Sequence, residues 1–152
     1  MKCLIVGCGY VGLPLGAELV RLGHEVFGLR RSAAAENELK AAGIQPLYGD
    51  VTRSETLAKL PREFDWVVNC VAAGGGADDY RQIYLQGTRN LIEWLAPNPP
   101  KKFVYTSSTS VYGQTDGSQV KESSPTEPLA ETAKILVETE KVLLGNDGSR
   151  GR

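Results

Sequence analysis

The chain has 152 residues, of which 41% are hydrophobic and 23% charged, and its formal net charge is -1 at pH 7. These proportions are typical of one globular domain that buries a core, and they give no electrostatic reason to expect nucleic acid or an anionic membrane as a partner. No apolar run approaches the roughly 18 to 20 residues of a membrane-spanning helix. Three cysteines without a CxxC pair or a secretory leader predict a cytoplasmic protein, and one histidine among scattered cysteines predicts no metal site.

The beginning of the chain predicts a buried strand followed by an amphipathic helix. Residues 3–6 form a short apolar run that ends at a glycine, which is typical of a strand buried on both faces of a parallel sheet. Apolar residues then recur at helical spacing from Val11 to Leu22. Pro14 stands early enough to be tolerated in the first turn, and the helix is expected to stop at Gly23.

The rest of the chain continues this alternation of strands and helices. Further strands are predicted over residues 24–29, 44–48, 65–70 and 103–106, and further helices over residues 33–42, 56–60, 80–95 and 129–144. The alternation implies an α/β fold, a Rossmann-like doubly wound parallel sheet with helices on both faces and the strand order 3-2-1-4-5. The domain is predicted over residues 1–145, and residues 146–152 are predicted to be a polar, disordered tail.

The clearest chemical motif lies between the first strand and the first helix. It is the GxGxxG run Gly7-Cys8-Gly9-Tyr10-Val11-Gly12. A strand before this pattern and a helix after it indicate a dinucleotide site, in which Gly7 permits the tight turn, Gly9 admits the pyrophosphate and Gly12 packs against the sheet. The helix N-terminus supplies N–H groups for the anion. The alternative is a glycine-rich structural turn, and Cys8 within it is either a redox-sensitive thiol or a small tolerated residue.

The end of the second predicted strand indicates which dinucleotide is bound. An acidic residue for the ribose of NAD is expected there, but the sequence continues with Arg30, Arg31 and Ser32. Two guanidinium groups and a hydroxyl suit a 2'-phosphate, so NADP is favoured over NAD, unless both arginines are only solvated surface residues. After the third predicted strand, Asp50 beside Val51 either accepts from the adenine amino group or caps a helix.

Taken together, these motifs resemble those of the extended short-chain dehydrogenase/reductases, the NAD-dependent epimerase/dehydratase group. The residues that carry the resemblance are the glycine run, Gly49-Asp50, Asn69-Cys70-Val71-Ala72-Ala73, Gly87-Thr88-Arg89-Asn90-Leu91, and residues 105–113, which read YTSSTSVYG. The resemblance covers nearly the whole chain. It implies an NAD(P)-binding oxidoreductase or epimerase of the nucleotide-sugar type, with Ala72 and Ala73 in the cofactor site.

The resemblance also implies catalytic residues, and here the chain departs from the family. Ser108 matches the catalytic hydroxyl, and Lys134 matches the lysine of a Tyr-x-x-x-Lys motif. The tyrosine of that motif is replaced by Ala130, whose methyl group cannot move a proton. Tyr84 replaces the family's asparagine in the preceding helix, while Tyr112 is expected to be structural.

Two functions therefore stay open at the level of sequence. One is an NADP-dependent oxidoreductase or epimerase, and the other is a non-catalytic dinucleotide-binding module or a truncated remnant of the family. The family normally continues with two more strands and a substrate-binding portion, so we expect an incomplete substrate pocket here. We also expect self-association through the exposed edge of the fifth strand. Residues 74–76, three glycines, either line the nicotinamide side of the cleft or form a flexible loop.

Overall fold

The structure, a computed structural model, describes residues 1–145, so the predicted tail at residues 146–152 lies outside the described residues. The strands are β1 (Lys2–Val6), β2 (Glu25–Arg30), β3 (Gln45–Tyr48), β4 (Trp66–Asn69) and β5 (Lys102–Tyr105). The α-helices are α1 (Gly12–Arg21), α2 (Glu36–Ala41), α3 (Ser54–Leu57), α4 (Ala77–Tyr80), α5 (Gly87–Leu95) and α6 (Glu131–Gly145). Two 3₁₀ turns (Ala33–Ala35 and Thr109–Val111) and a π-helical turn (Arg81–Gln86) complete the described elements.

The five strands form one parallel sheet in the order β3-β2-β1-β4-β5. This confirms the predicted Rossmann-like doubly wound topology. Val6, the last residue of β1, lies in register between Leu29 of β2 and Asn69 of β4. Three strands therefore end side by side at the carboxyl edge of the sheet, where open α/β folds collect their ligands.

The residues of β1 alternate between two apolar layers, as the period of two in a strand requires. Leu4 and Val6 share one core cluster with Leu91 and other apolar residues of α5. Cys3 and Ile5 share the other cluster with apolar residues of α1 and α2. All four strand residues are at most 1% exposed, so helices cover both faces of the sheet, as predicted.

The described chain divides into two compact units. The first consists of Met1–Ala72 and Asn90–Thr106, and it contains the whole sheet with α1, α2 and α3. The second consists of Ala73–Arg89 and the described residues from Ser107 onward, and it contains α4, the π-helical turn and α6. The core of the second unit comprises Val111, Leu136 and Val137, with Tyr80, Tyr84 and Tyr112 packed against it.

The helix predicted over residues 80–95 is the largest difference from the sequence-based expectation. It begins at Ala77 and is interrupted by the π-helical turn at Arg81–Gln86 before α5 begins at Gly87. A single widened turn leaves apolar residues on one side of the helix, so the hydrophobic pattern does not reveal it. π-Helical turns are frequent at functional sites, and this one carries Tyr84.

Other boundaries differ by smaller amounts. The helix predicted over residues 33–42 begins as a 3₁₀ turn because the Ser32 hydroxyl oxygen accepts from the N–H of Ala34, 3.2 Å away. The last helix begins at Glu131 rather than residue 129, and β2 extends through Arg30. Shifts of one or two residues at element ends are ordinary, because terminal turns and strand ends lack some of their hydrogen bonds.

Gly7 and Gly23 form a matched pair for testing how tightly the sheet holds the glycine loop. Both have a left-handed backbone, with φ of 76° and 82°. A Cβ at Gly7 would lie 2.7 Å from the backbone nitrogen of Val71, whereas a Cβ at Gly23 would meet nothing within 4 Å. We expect Gly23→Ala to lose about 1 to 2 kcal/mol from the backbone conformation alone, and Gly7→Ala to lose at least about 1 kcal/mol more. Urea unfolding measures both losses, and equal values would show that the backbone at Val71 yields.

Candidate functional site

The GxGxxG loop joins β1 to α1 at the carboxyl edge of the sheet. The N–H groups of Gly7 and Cys8 both donate to the carbonyl oxygen of Leu29, at 3.1 and 3.3 Å. The N–H of Gly9 donates to the Gly7 carbonyl at 2.7 Å, which makes the turn tight. The first half of the loop is therefore fixed to the end of β2.

The three glycines differ in what the surrounding chain requires of them. Gly7 needs its positive φ and its close approach to Val71. A Cβ at Gly12 would lie 2.8 Å from Cγ2 of Ile5, so the start of α1 rests directly on β1. A Cβ at Gly9 would make only an ordinary contact, 3.7 Å from Nη1 of Arg30. Close contacts within the chain therefore explain why positions 7 and 12 are glycine. At Gly9 there is space for a Cβ, so packing does not explain that glycine.

The N-terminus of α1 has N–H groups that no side chain caps. Val11 occupies the N-cap position without a side-chain hydrogen bond, and Leu13 donates to the Gly9 carbonyl at 2.8 Å. Pro14 has no N–H, so Val11 and Gly12 supply the remaining donors of the first turn. Tyr10 beside them is 99% exposed. This end of the helix combines free donors with the positive end of the helix dipole, which suits an anion.

The three polar residues predicted to favour NADP have different environments. The half-buried Arg30 donates from Nη1 to the carbonyl oxygen of Cys8 at 2.7 Å, so it is not a solvated surface residue. Arg31 is exposed. Ser32 is also exposed, and its hydroxyl oxygen is used to cap the following 3₁₀ turn. Of the three, Arg30 alone contacts the glycine loop through a hydrogen bond that the structure defines.

Asp50 and Val51 lie after β3, and the carboxylate of Asp50 has a local role. Its Oδ1 accepts from the backbone N–H and the hydroxyl of Thr52, at 2.9 and 2.8 Å. The N-cap of α3 is Arg53, so the prediction that Asp50 caps a helix was wrong; the carboxylate closes a turn before the helix begins. Val51 is 7% exposed, and its carbonyl accepts from Nδ2 of Asn90 at 2.7 Å.

The segment after β4 contains the two predicted cofactor-binding alanines. Ala72 is exposed and is the last residue of this stretch in the first unit. Ala73 opens the next stretch of the second unit, and its N–H donates to the Tyr84 hydroxyl oxygen at 3.2 Å. Tyr84 therefore orients the backbone that follows β4. The sequence did not predict this role, because the direction of the Tyr84 side chain depends on the π-helical turn.

The glycines at positions 74 and 75 are tied down by a residue that the sequence analysis missed. Oδ2 of Asp79 accepts from the N–H of Gly74 at 3.2 Å and from that of Gly75 at 2.9 Å. The sequence feature that could have predicted this contact is an acidic side chain in the first turn of a helix that follows a glycine run. Because both amides are held, this part of the run is an ordered loop and not merely a flexible one.

The candidate catalytic residues Ser108 and Lys134 both belong to the second unit. The Ser108 hydroxyl oxygen accepts from the N–H of Ser110 at 3.2 Å and caps the 3₁₀ turn, which leaves the hydroxyl proton for another acceptor. Lys134 is exposed on α6, with Nζ 3.8 Å from the Glu131 carboxylate. Ala130, exposed just before α6, accepts from the Lys134 N–H through its carbonyl and offers only a methyl side chain.

The thiol of Cys8 is a structural group. Burial raises the pKa of Cys8 to about 11, and the nearby positive charge of Arg30 opposes this rise without cancelling it. Burial also raises the pKa values of Cys3 and Cys70. Reactive cysteines need a lowered pKa and access to solvent, whereas Cys8 is 0% exposed, so the small-residue interpretation applies.

Within residues 1–145 no group of three or more histidine, cysteine, aspartate or glutamate side chains is arranged to hold a metal ion. No helix of the same range is long and apolar enough to cross a bilayer.

This chain is similar to known proteins of one family. The family model described as the NAD dependent epimerase/dehydratase family matches residues 3–135. The chain is 30% identical over 144 residues to protein YeeZ of Escherichia coli K12, covering 91% of this chain and 52% of YeeZ. It is 34% identical over 152 residues to dTDP-6-deoxy-L-talose 4-dehydrogenase (NAD(P)(+)) of Kitasatospora kifunensis, covering 95% and 47% respectively.

Solved structures show the same fold. A protein from Methylobacillus flagellatus assigned to the NAD-dependent epimerases/dehydratases superposes with a TM-score of 0.77 and 38% identity, covering 93% of this chain and 50% of that one. UDP-glucose 4-epimerase from Thermus thermophilus, solved with NAD, gives a TM-score of 0.83 at 24% identity, covering 98% and 51%. This chain therefore spans about half the length of the relatives that it matches.

The raised pKa and burial of Cys8 predict slow alkylation. At pH 8 a pKa of about 11, against an ordinary 9.0, lowers the thiolate fraction about 100-fold. We expect iodoacetamide to modify Cys8 at least about 100-fold more slowly in the native protein than in urea, as followed by mass spectrometry. Half-buried Cys70 is the internal control and should react faster than Cys8. Equal rates for Cys8 in the native and unfolded protein would contradict this.

Proposed function

Because this chain belongs to the NAD-dependent epimerase/dehydratase family, we propose that it binds a nicotinamide dinucleotide at the glycine loop and prefers NADP to NAD. The observation that carries the proposal is the position of the Arg30 guanidinium, bonded to the Cys8 carbonyl beside Gly9 and next to an α1 N-terminus without a side-chain cap. Two cationic side chains, Arg30 at the end of β2 and Arg31 directly after it, stand where an NAD-specific protein of this fold would place an acidic one.

The residues present fit such a cofactor. The open position at Gly9 leaves room for a pyrophosphate, which the N–H groups of Val11 and Gly12 can bind. Arg31 and Ser32 are exposed and can reach a 2'-phosphate. Asp50 and Val51 are the proposed contacts of the adenine ring, and Ala72 and Ala73 those of the nicotinamide end.

For catalysis we propose an oxidoreductase or epimerase reaction at a sugar hydroxyl, in which a bound nicotinamide would accept or return a hydride. The Ser108 hydroxyl can donate to the reacting oxygen, and the Lys134 ammonium adds positive charge in the second unit. Ala130 leaves no phenol to move the proton, and such groups typically contribute about 100-fold to 10,000-fold in rate. Turnover is therefore proposed to be slow.

The second candidate function is a non-catalytic dinucleotide-binding module. Ala130 is the specific observation that favours it, because the glycine loop keeps the family pattern while the acid/base position does not. A nucleotide sugar remains the proposed substrate class under the first function, since relatives named above act on dTDP- and UDP-sugars. A cytoplasmic location and self-association at β5, where Val104 is 42% exposed, also remain proposals.

Cofactor binding is tested by calorimetric titration with NADPH and NADH. We expect NADPH to bind more tightly, and Gly9→Val to weaken both cofactors at least about 100-fold, because a branched side chain would occupy the place of the pyrophosphate. Gly145→Val is the matched control, since a Cβ there meets nothing within 4 Å among residues 1–145, and it should bind as the unaltered chain does.

The preference between cofactors is tested in the same titration. Replacement of both arginines, Arg30→Asp with Arg31→Asp, should invert the ratio of the two dissociation constants, because a carboxylate repels a phosphate and accepts from a ribose hydroxyl. A folded chain that binds neither cofactor would refute the dinucleotide site. Tighter binding of NADH by the unaltered chain would refute only the preference for NADP.

The catalytic deficit is tested by restoring the phenol. We expect Ala130→Tyr to raise the rate of NADP⁺ reduction with UDP-glucose at least about 100-fold over the unaltered chain, because the exposed site before α6 accepts a ring without displacing the core. Ala130→Phe is the control, since it adds the same ring without the hydroxyl. If Ala130→Tyr is no faster than Ala130→Phe although both bind NADP⁺, the non-catalytic function is favoured.

A further inference from the structure

We propose that Arg30 is a positioning residue that holds the glycine loop in its binding conformation for any dinucleotide, and that Arg31 is the residue that distinguishes NADP from NAD. The inference rests on the proposed dinucleotide site, and it assigns different tasks to two adjacent arginines that the sequence treats alike.

The backbone of Arg30 is held by the sheet. It is the last residue of β2, in register with Tyr48 of β3, and its carbonyl accepts from the N–H of Gly49 at 3.0 Å. The side chain therefore starts from a fixed point at the carboxyl edge. Because the sheet already fixes the backbone of Arg30, its side chain can bind the neighbouring loop with little further loss of conformational entropy in that backbone.

The guanidinium of Arg30 is engaged with the loop. Its Nη1 donates to the Cys8 carbonyl at 2.7 Å, within the range of charge-assisted hydrogen bonds. The same loop is joined to β2 by the N–H groups of Gly7 and Cys8, which share the Leu29 carbonyl. The backbone bonds fix the entrance of the loop, and the Arg30 bond fixes the next peptide unit, between Cys8 and Gly9.

The orientation of that peptide unit matters to everything that follows it in the loop. Its N–H, on Gly9, donates to the Gly7 carbonyl at 2.7 Å, and its carbonyl accepts from Arg30. With both polar ends held, the peptide unit between Cys8 and Gly9 keeps one orientation. The positive charge also lies beside Gly9, where the pyrophosphate of either dinucleotide would place its negative charge.

Arg31 has none of these constraints. It follows the end of β2, is exposed, and makes no hydrogen bond or ion pair with another residue in the described part of the chain. A guanidinium without a partner can turn all its donors toward a phosphate without breaking a bond first. Arg30 already uses an N–H of Nη1 for Cys8, and this bond fixes the direction in which its other donors point.

The test compares Arg30→Gln, Arg30→Lys and Arg31→Gln by titration with NADH and NADPH. We expect Arg30→Gln to weaken both cofactors by a similar factor, on the order of tenfold, because the loop loses its side-chain bond and its charge. Arg31→Gln should weaken NADPH by about tenfold with little effect on NADH, because NADH has no 2'-phosphate. Arg30→Lys keeps the charge without the planar fork and separates the two contributions.

A second measurement follows the loop without any ligand. Hydrogen exchange at the hydrogen-bonded amides of Gly7, Cys8, Gly9 and Leu13 should become faster in Arg30→Gln and stay unchanged in Arg31→Gln. If no dinucleotide binds to the unaltered chain, the proposed function fails, while the exchange rates still show whether Arg30 holds the loop. Loss of NADPH affinity alone in Arg30→Gln, with unchanged exchange, would overturn the inference. If Arg30→Gln does not fold, Arg30→Lys carries both measurements.

Discussion

The parallel pairing of β1 with β2 and β4 is the constraint on which the rest of the first unit depends. It places the ends of three strands side by side, and Cys70 extends the pairing by donating to the Val6 carbonyl at 2.8 Å. The chain leaving β1 must then turn within the narrow space between its neighbours. Gly7 meets that demand with a positive φ and no side chain, because a Cβ would touch the backbone after β4. The shape of the loop therefore follows from the sheet.

The parts of this arrangement that sequence can predict are those with a local pattern. The apolar run of β1, the glycine spacing and the helical period of α1 each lie within a few neighbouring residues, and together they define the βα unit and its topology. The π-helical turn at Arg81–Gln86 has no such pattern, since one extra residue in a turn changes direction without changing composition. The hydrogen bond from the Ala73 N–H to the Tyr84 hydroxyl oxygen depends on that turn, so the sequence did not predict it.

Side-chain bonds to distant backbone are the second class of feature that sequence does not reveal. Arg30 reaches the Cys8 carbonyl across 22 positions, and Asn90 reaches the Val51 carbonyl across 39. Arginine and asparagine side chains can each bond to many different groups. Which carbonyl lies within their reach depends on how the strands pack. Charge alone would assign Arg30, at the end of β2, to a phosphate, but its bond to the Cys8 carbonyl distinguishes it from Arg31 beside it.

The residues proposed for cofactor binding and those proposed for catalysis are different in this chain. With the exception of Ala73, the proposed binding residues lie in the first unit, whereas Ser108, Lys134 and Ala130 lie in the second. Binding energy that stabilises the ground state and the transition state equally does not accelerate a chemical step. A site that binds the cofactor therefore cannot replace a missing proton donor. In the proposed reaction, the methyl group of Ala130 would leave out an interaction that matters only while the proton moves. Family membership therefore predicts the dinucleotide much more firmly than it predicts a reaction rate, and the two properties must be measured separately.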